Sequence, residues 1–583
     1  MRSLSRFRVC RMTSVMWYPC YIISSDTPFK HQCTMSDISE QPVPRRSRTW
    51  SFYVVLLFTV IPVFFSVPLA WCFAFYSIYT SKWAAYSSLW ITIFFASCYE
   101  VVFAIYHYYL KCRVSGKPPF VTDELKDVRT AYMRLLKAGL VDIPNGGGEL
   151  EMLLADRPTT GNVAADISIP IVQLDHHDPR AIAFRHTLRT WFCNVPFSSI
   201  RRHHAEKWLY WTMYNAMLPP PDQIPPDRKS ALDEAVVLLQ NRLGSEIPEG
   251  SNKDVRPMLL TVDEVNIFWR PLTFYFVVAT INWCIMTIGY SNGIEYLIRT
   301  PPHWNPASSP RPIVFLHGLG LGILQYHITI TSLMKNFTDR PILVPLHPQS
   351  SQNIFHRNFL EPFSRHEMAD RLAELLKSFG WVEHCDIGKA QRFSEACSDF
   401  SEDELASVEA EEQSFAESAF PNQRGITMIS HSNGSYIHAW MLKGYAELIG
   451  RSCFIDPVTF CSWEGDVCYN FLYRPCTTGM ELIIRYFVGT ELGVANLLQR
   501  HFCWTSNSLW VEEIPNARDP HKNLFVLGGK DDIINAERVK RYLTSHGVCK
   551  NLFCDPEGRH GQALISGSPA LTEILRWLSE DES

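Results

Sequence analysis

Apolar and polar positions divide the chain into three regimes. From Phe52 to Tyr79 the residues are uncharged and dominated by Val, Leu, Phe and Ala, and a second such run extends from Ala84 to Leu110. As helices, both are long enough to cross about 30 Å of hydrocarbon. Residues 51–110 are therefore predicted to form a transmembrane helical hairpin, joined by a short connection that contains Lys82. Pro62 and Pro68 are expected to kink the first helix, and Trp and Tyr near the ends of both runs suit the membrane interfaces. Glu100, inside the second run, is expected as a neutral, hydrogen-bonded carboxyl between the two helices. A third apolar stretch, Leu272 to Tyr290, carries Asn282 and several threonines and is barely long enough to span. It reads as a third span, as a helix lying in the interface, or as a buried helix.

Residues 111–300 are otherwise mostly helical in pattern, as in Thr122 to Leu140 and Asp178 to Leu218. Turns are marked by Asn145-Gly146-Gly147-Gly148 and Pro219-Pro220-Pro221. From 301 to 583 the pattern changes. Short β-branched or apolar runs alternate with segments of helical spacing, which predicts an α/β module on a mostly parallel sheet. Two insertions interrupt it. Residues 393–418 hold many Asp and Glu and no basic residue, so a disordered acidic loop is expected, whereas residues 458–515 are rich in aromatics.

Composition refines this map. A chain of 583 residues, 46% hydrophobic with a net charge of −5, has material for more than one module and argues against nucleic acid as a partner. Its 17 cysteines contain no Cys-x-x-Cys pair, which favours reduced thiols facing the cytosol. Residues 1–50 are basic at their start, with Arg2, Arg6, Arg8 and Arg11 and no acidic residue before Asp26, and read as a disordered tail. Arg45, Arg46 and Arg48 precede the first run, and Lys111, Arg113 and Lys117 follow the second, so both ends are expected in the cytosol. A multi-pass protein of an endomembrane such as the endoplasmic reticulum is the corresponding location. His176-His177 and His203-His204 lack the second spaced pair of a metal site and read as packed or solvated. Neither a metal nor a cofactor is expected.

The candidate chemistry centres on Gly425 to Trp440. Ile426 to Ile429 reads as a buried strand, and apolar residues at helical spacing follow Gly434. Ser432 stands between them on a turn that requires small neighbours two residues before and after, here Ser430 and Gly434. This stretch resembles the nucleophile elbow of the α/β-hydrolase superfamily, Gly-x-Ser-x-Gly, with Ser430 in place of the first glycine.

The resemblance extends to parts in the expected order. Pro312 to Gly320, an apolar strand running into His317-Gly318, resembles the oxyanion loop, which implies backbone donors at Leu319 and Asn433. Asn523 to Ile534 resembles the acid loop, with Asp531 in the better register and Asp532 beside it. Asp456 is an alternative acid, because some superfamily members draw theirs from the strand after the elbow. Val548 to Phe553 is predicted as a last strand, before a loop that presents His560 as the base and a closing helix from Pro569 to Leu578. His431 is expected as a packed neighbour with its ring turned away from the hydroxyl. By the same resemblance, residues 458–515 are a cap, its aromatics either a surface for an acyl chain or the bilayer, or a core between cap and sheet.

The resemblance implies a membrane-anchored serine hydrolase acting on carboxylic esters, with lipid esters suggested by the apolar hairpin. The expected partners are membrane lipids and a small-molecule ester. A hydrolase-fold scaffold without turnover, or an acyltransferase using the same residues, are the alternatives. The resemblance implies a triad of Ser432, His560 and Asp531 as nucleophile, base and orienting acid, with Asp456 and Asp532 as alternatives for the last.

Overall fold

Strands buried at every position need both faces covered, and Ile313–Leu316, Ile342–Leu346, Ile426–His431 and Asn523–Gly528 are buried throughout. The computed structural model describes residues 38–116, 125–140, 171–285, 288–306, 308–382 and 425–580. The first 37 residues, the Asn145–Gly148 turn and the acidic stretch 393–418 lie outside them. The strands are β1 (Ile288–Ser291), β2 (Ile294–Arg299), β3 (Ile313–Leu316), β4 (Ile342–Leu346), β5 (Ile426–His431), β6 (Ile449–Ile455), β7 (Asn523–Gly528) and β8 (Leu552–Asp555). They form one eight-stranded sheet in the order β1-β2-β4-β3-β5-β6-β7-β8. Only β1 with β2 and β2 with β4 pair antiparallel; the other pairs are parallel. The mostly parallel α/β sheet implied by the resemblance is present.

Ahead of the sheet come α1 (Trp50–Tyr79), α2 (Ser88–Gly116), α3 (Leu125–Lys137), α4 (Pro179–Leu188), α5 (Arg202–Tyr214), α6 (Pro226–Leu243) and α7 (Leu272–Ile285). Within and after it follow α8 (Ile323–Asn336), α9 (Arg365–Ser378), α10 (Gly434–Tyr445), α11 (Gly479–Ile484), α12 (Ala536–Ser545) and α13 (Pro569–Ser579). The period-2 alternation of each strand sends its side chains to two cores. Val314 and Leu316 of β3 join a core with α9, α10 and α12, while Ile313 and Phe315 join one with α8 and α13. The first core continues into α3 to α6, so the helical region is packed onto the α/β module. Trp191 and Trp504 tie it to the 458–515 segment by donating indole N–H bonds to the carbonyls of Trp463 (2.8 Å) and Thr212 (3.0 Å).

Several expectations are corrected. The apolar stretch 272–290 is not one helix: α7 ends at Ile285, and Ile288 to Ser291 is the edge strand β1. The cause is the Asn292-Gly293 turn, in which both residues adopt positive φ (52° and 85°) and close a tight hairpin to β2. At about 21 Å, α7 is too short to span. The sheet thus begins at 288, upstream of the expected boundary at 301. The last strand begins at Leu552 rather than Val548. Val548 instead closes a helix end: its N–H reaches the Leu543 carbonyl, and that of Gly547 (φ 82°) reaches Thr544, which caps α12. Glu100 accepts the backbone N–H of Leu272 at 2.8 Å and so caps α7, a partner outside the two-helix hairpin. The first apolar helix widens to a π-helical turn at Leu56–Val60, just ahead of Pro62.

The aromatics of 458–515 are largely core. Trp463 stacks on Trp510 at 4.1 Å, and Trp463, Tyr486, Phe502, Trp504 and Trp510 are all buried. His204 is likewise a packing residue: its Nδ1 accepts the N–H of Arg201 and its ring is buried.

Candidate active site

The elbow forms where β5 must reverse into α10 within three residues. Ser432 adopts φ 51°, a left-handed conformation unfavourable for any residue but glycine, and its N–H bonds the Ile455 carbonyl at 3.1 Å. Gly434 is required by contact: a Cβ there would sit 2.3 Å from the carbonyl oxygen of Leu316. Ser430, the departure from Gly-x-Ser-x-Gly, is fully buried and bonds His438 Nδ1 at 2.9 Å; His438 Nε2 continues to Ser452 Oγ at 3.1 Å. Burial lowers the pKa of His438 to about 3, so the ring is neutral and links two hydroxyls. The hydroxymethyl group at this position therefore serves a buried polar network between β5, β6 and α10.

β7 and β8 end beside the elbow and deliver the remaining groups. His560 Nε2 lies 2.9 Å from Ser432 Oγ, and His560 Nδ1 lies 2.6 Å from Asp531 Oδ2. The other oxygen of Asp531 accepts the N–H groups of Ile533 (2.7 Å) and Ile534 (2.9 Å), which fixes the carboxylate. Burial opposes charging of His560, but the charge and hydrogen bond of Asp531 and the charge of Asp456 outweigh it and raise the pKa to about 9.

Neither alternative acid hydrogen-bonds His560. Asp456 is fully buried at φ 42° and makes no hydrogen bond to His560; its oxygens accept the N–H groups of Gly528 (2.9 Å) and Gly561 (2.7 Å). Burial, with Asp531 nearby and His560 opposing, raises its pKa to about 6. Asp532 points outward and pairs with Arg559 at 3.3 Å. One ligand atom each from Asp456, Asp531 and His560 lie within 4.8 Å of one another. These groups are already engaged with each other and with backbone N–H donors, so the trio reads as an acid–base network rather than a cation cage.

The backbone before α8 presents a prearranged loop. Gly318 N–H bonds Tyr326 OH (2.9 Å), Gly320 N–H bonds the Ser350 carbonyl (3.0 Å), and Leu321 N–H bonds Gln325 Oε1 (3.0 Å). Between them, Leu319 N–H has no partner among the described residues, and the same holds for Asn433 N–H at the start of α10. His317 orients the former: its Nδ1 donates to the Gly318 carbonyl at 2.8 Å. Because a trans peptide holds C=O and N–H antiparallel, fixing that carbonyl fixes the direction of the Leu319 N–H.

His431 turns away from Ser432. Its Nδ1 accepts from the buried Tyr326 hydroxyl at 2.7 Å, and burial holds its pKa well below the usual histidine range. Tyr326 thereby joins the oxyanion-type loop to the residue before Ser432. Neither Tyr326 nor the clamping role of Asp456 had a signal in the sequence, since both depend on which loops meet.

No protein-family model matches the chain, and no curated protein matches it in sequence. Among solved structures it is similar to a thermophilic esterase from Thermogutta terrifontis, at 15% identity over 50% of this chain and 96% of that one, with a TM-score of 0.28. It is also similar to carboxylesterase CesB from Bacillus subtilis (9% identity, 53% and 98% coverage, TM-score 0.30). A putative hydrolase from Bacillus subtilis is a third (12% identity, 53% and 98% coverage, TM-score 0.32). At these scores the likenesses carry no inference about the chemistry of this chain.

Proposed function

We propose that the chain is a membrane-anchored serine hydrolase that cleaves carboxylic esters, lipid esters in particular, through Ser432, His560 and Asp531. The observation that carries this reading is the unbroken hydrogen-bonded path from the Ser432 hydroxyl through His560 to Asp531, at 2.9 and 2.6 Å. Ser432 Oγ attacks the ester carbonyl carbon as its proton passes to His560 Nε2, and Asp531 stabilises the imidazolium. The oxyanion accepts from the N–H groups of Leu319 and Asn433, donors that contribute roughly 3 kcal/mol each to lowering the barrier. Collapse breaks the C–O bond to the alcohol, which leaves with the proton from His560. Water, deprotonated by the same ring, then hydrolyses the acyl-enzyme.

Anchoring is supported by α1 and α2, of 30 and 29 residues, whose most apolar windows have mean hydropathy 2.3 and 1.8 and are only 11% and 22% buried. Helices of a water-soluble core are covered on most sides; these are not. Arg45, Arg46 and Arg48 before α1 and Lys111 and Arg113 at the end of α2 favour a cytosolic face for both ends. A bilayer beside the site concentrates lipid esters, and that proximity supports the substrate class.

The test is fluorophosphonate labelling of the full chain in detergent. Labelling of the wild type that disappears in Ser432→Ala is expected. A folded wild type that takes no label and turns over no ester overturns the reading in favour of an inactive scaffold. Higher kcat/KM for monoacylglycerol or lysophosphatidylcholine than for a short-chain ester is expected; the reverse order removes the lipid part.

A further inference from the structure

The hairpin is held by the α/β module too close to its base to cross a bilayer by its free end alone. Trp269 stacks on Phe64 at 4.4 Å and donates its indole N–H to the Phe64 carbonyl, and Glu100 caps α7 at Leu272. Beyond these contacts, α1 projects from Phe64 to Tyr79 and α2 from Glu100 back to Ser88, about 22 and 18 Å of helix. The hydrocarbon layer is about 30 Å thick. The exposed apolar stripe of α2 supplies the difference: it continues past Glu100 through Val102 and Ile105 to Tyr109, and ends only where Lys111 bonds the Ile267 carbonyl. From Leu89 to Tyr109 that stripe is about 30 Å long. A bilayer that covers it must also cover whatever part of the module lies beside residues 100–109.

One helix at that level is α7. Its Leu272 meets Glu100, and Tyr275 packs on Phe103 and His107 with ring centroids 5.6 and 6.4 Å apart. Tyr275 and Val278 are buried, whereas Phe276 and Val277 on the opposite face are 62% and 51% exposed. No charged residue occurs between Leu272 and Ile285. The other end of the same helix touches the oxyanion-type loop. The Asn282 side chain donates from Nδ2 to the Leu321 carbonyl (3.4 Å) and accepts from the Leu324 N–H (3.3 Å), bracketing Gly322 at positive φ (64°).

We infer that α7 is seated in the bilayer along Phe276 and Val277 and that, through Asn282, this lipid-seated helix holds the loop carrying Leu319 in position. The partner is the acyl region of the leaflet on the module's side. Asn282 is a positioning residue: it touches neither the ester nor the reacting atoms. The lipid seat stands on the contacts above, while the role of Asn282 in turnover rests on the serine-hydrolase reading.

The test uses the full chain reconstituted in phosphatidylcholine vesicles, part of whose lipid carries a diazirine on the acyl chain. After photolysis, adducts are expected on the peptide containing Phe276 and Val277 as well as on peptides from 50–110. Adducts confined to 50–110 overturn the lipid seat. In the same vesicles, Asn282→Leu is expected to lower kcat on p-nitrophenyl butyrate about tenfold, with KM and the pH profile unchanged, because a displaced donor loop weakens the transition state alone. Asn282→Asp, which keeps the acceptor for Leu324, is expected to retain more activity. An unchanged kcat in a folded Asn282→Leu variant, checked by circular dichroism, overturns the positioning role. Absence of fluorophosphonate labelling in the wild type sinks the hydrolase reading and the role of Asn282 with it, and leaves the photolabelling result standing.

Discussion

Asp456 accepts the backbone N–H of Gly561, the residue after His560, at 2.7 Å. Its second oxygen takes the N–H of Gly528, at the end of the strand that leads to Asp531. One buried carboxylate thus clamps the loop of His560 to the loop that leads to Asp531. An asparagine offers one oxygen where two donors converge and turns an NH₂ toward the other. Asp456→Asn is expected to reduce stability by about 1–3 kcal/mol, read by chemical denaturation. It also removes a negative charge near His560, which lowers the pKa of the ring, so the acid limb of kcat/KM moves to lower pH.

The wild-type pH profile follows from the same ring. In the proposed mechanism serine attack requires neutral His560, whose pKa is raised to about 9. Activity on a soluble ester is therefore expected to rise with pH through the range below 9 and to fall about tenfold per unit on the acid side of that pKa. An acid limb near 6.5, the ordinary histidine value, would contradict the electrostatic coupling to Asp531 and Asp456.

The three carboxylates separate by substitution. Asp531→Asn is expected to lower kcat about 10⁴-fold with the fold intact, since His560 loses the partner that sets its tautomer. Asp532→Asn removes only an exposed pair with Arg559 and should leave kcat within about twofold. Comparable losses in both variants would reject Asp531 as the orienting acid.

Ser430→Gly produces the pattern Gly-x-Ser-x-Gly yet is expected to be harmful. It leaves His438 Nδ1 buried without its hydroxyl partner and places glycine within a strand. A loss of about 1–3 kcal/mol is expected, seen as a lower Tm, with activity per folded molecule little changed.

Gly434→Ala tests the elbow from the other side. The added methyl would meet the Leu316 carbonyl at 2.3 Å, so β3 and α10 must separate. Destabilisation of about 1–3 kcal/mol, with a larger fractional loss of kcat because the donor loop follows β3, is the expected outcome.

Local patterns carried much of this architecture. The β-branched run before Ser432, the glycine two residues after it, and the apolar stretches at 52–79 and 84–110 each depend on spacing and turn chemistry within a few residues. Such features are visible one residue at a time. The misplacements are local as well: Asn292-Gly293, just beyond the 272–290 stretch, is a hairpin signal that draws the last residues of that stretch into β1, and Gly547-Val548 is a helix-ending pair that resembles a strand start.

The alternation of helix and strand, the apolar hairpin, and the succession of His317-Gly318, Ser432, Asp531 and His560 are legible in the order of residues along the chain. Which of Asp456, Asp531 and Asp532 bonds His560, that Ser430 bonds a buried histidine, and that Asn282 reaches the loop after His317 are visible only in the folded chain. Those outcomes depend on the order in which β3, β5, β6 and β7 lie side by side and on where loops distant in sequence close upon one another. Hydrogen bonds select partners at about 3 Å, and separations that small between distant segments are set by packing rather than by any residue's neighbours in the chain.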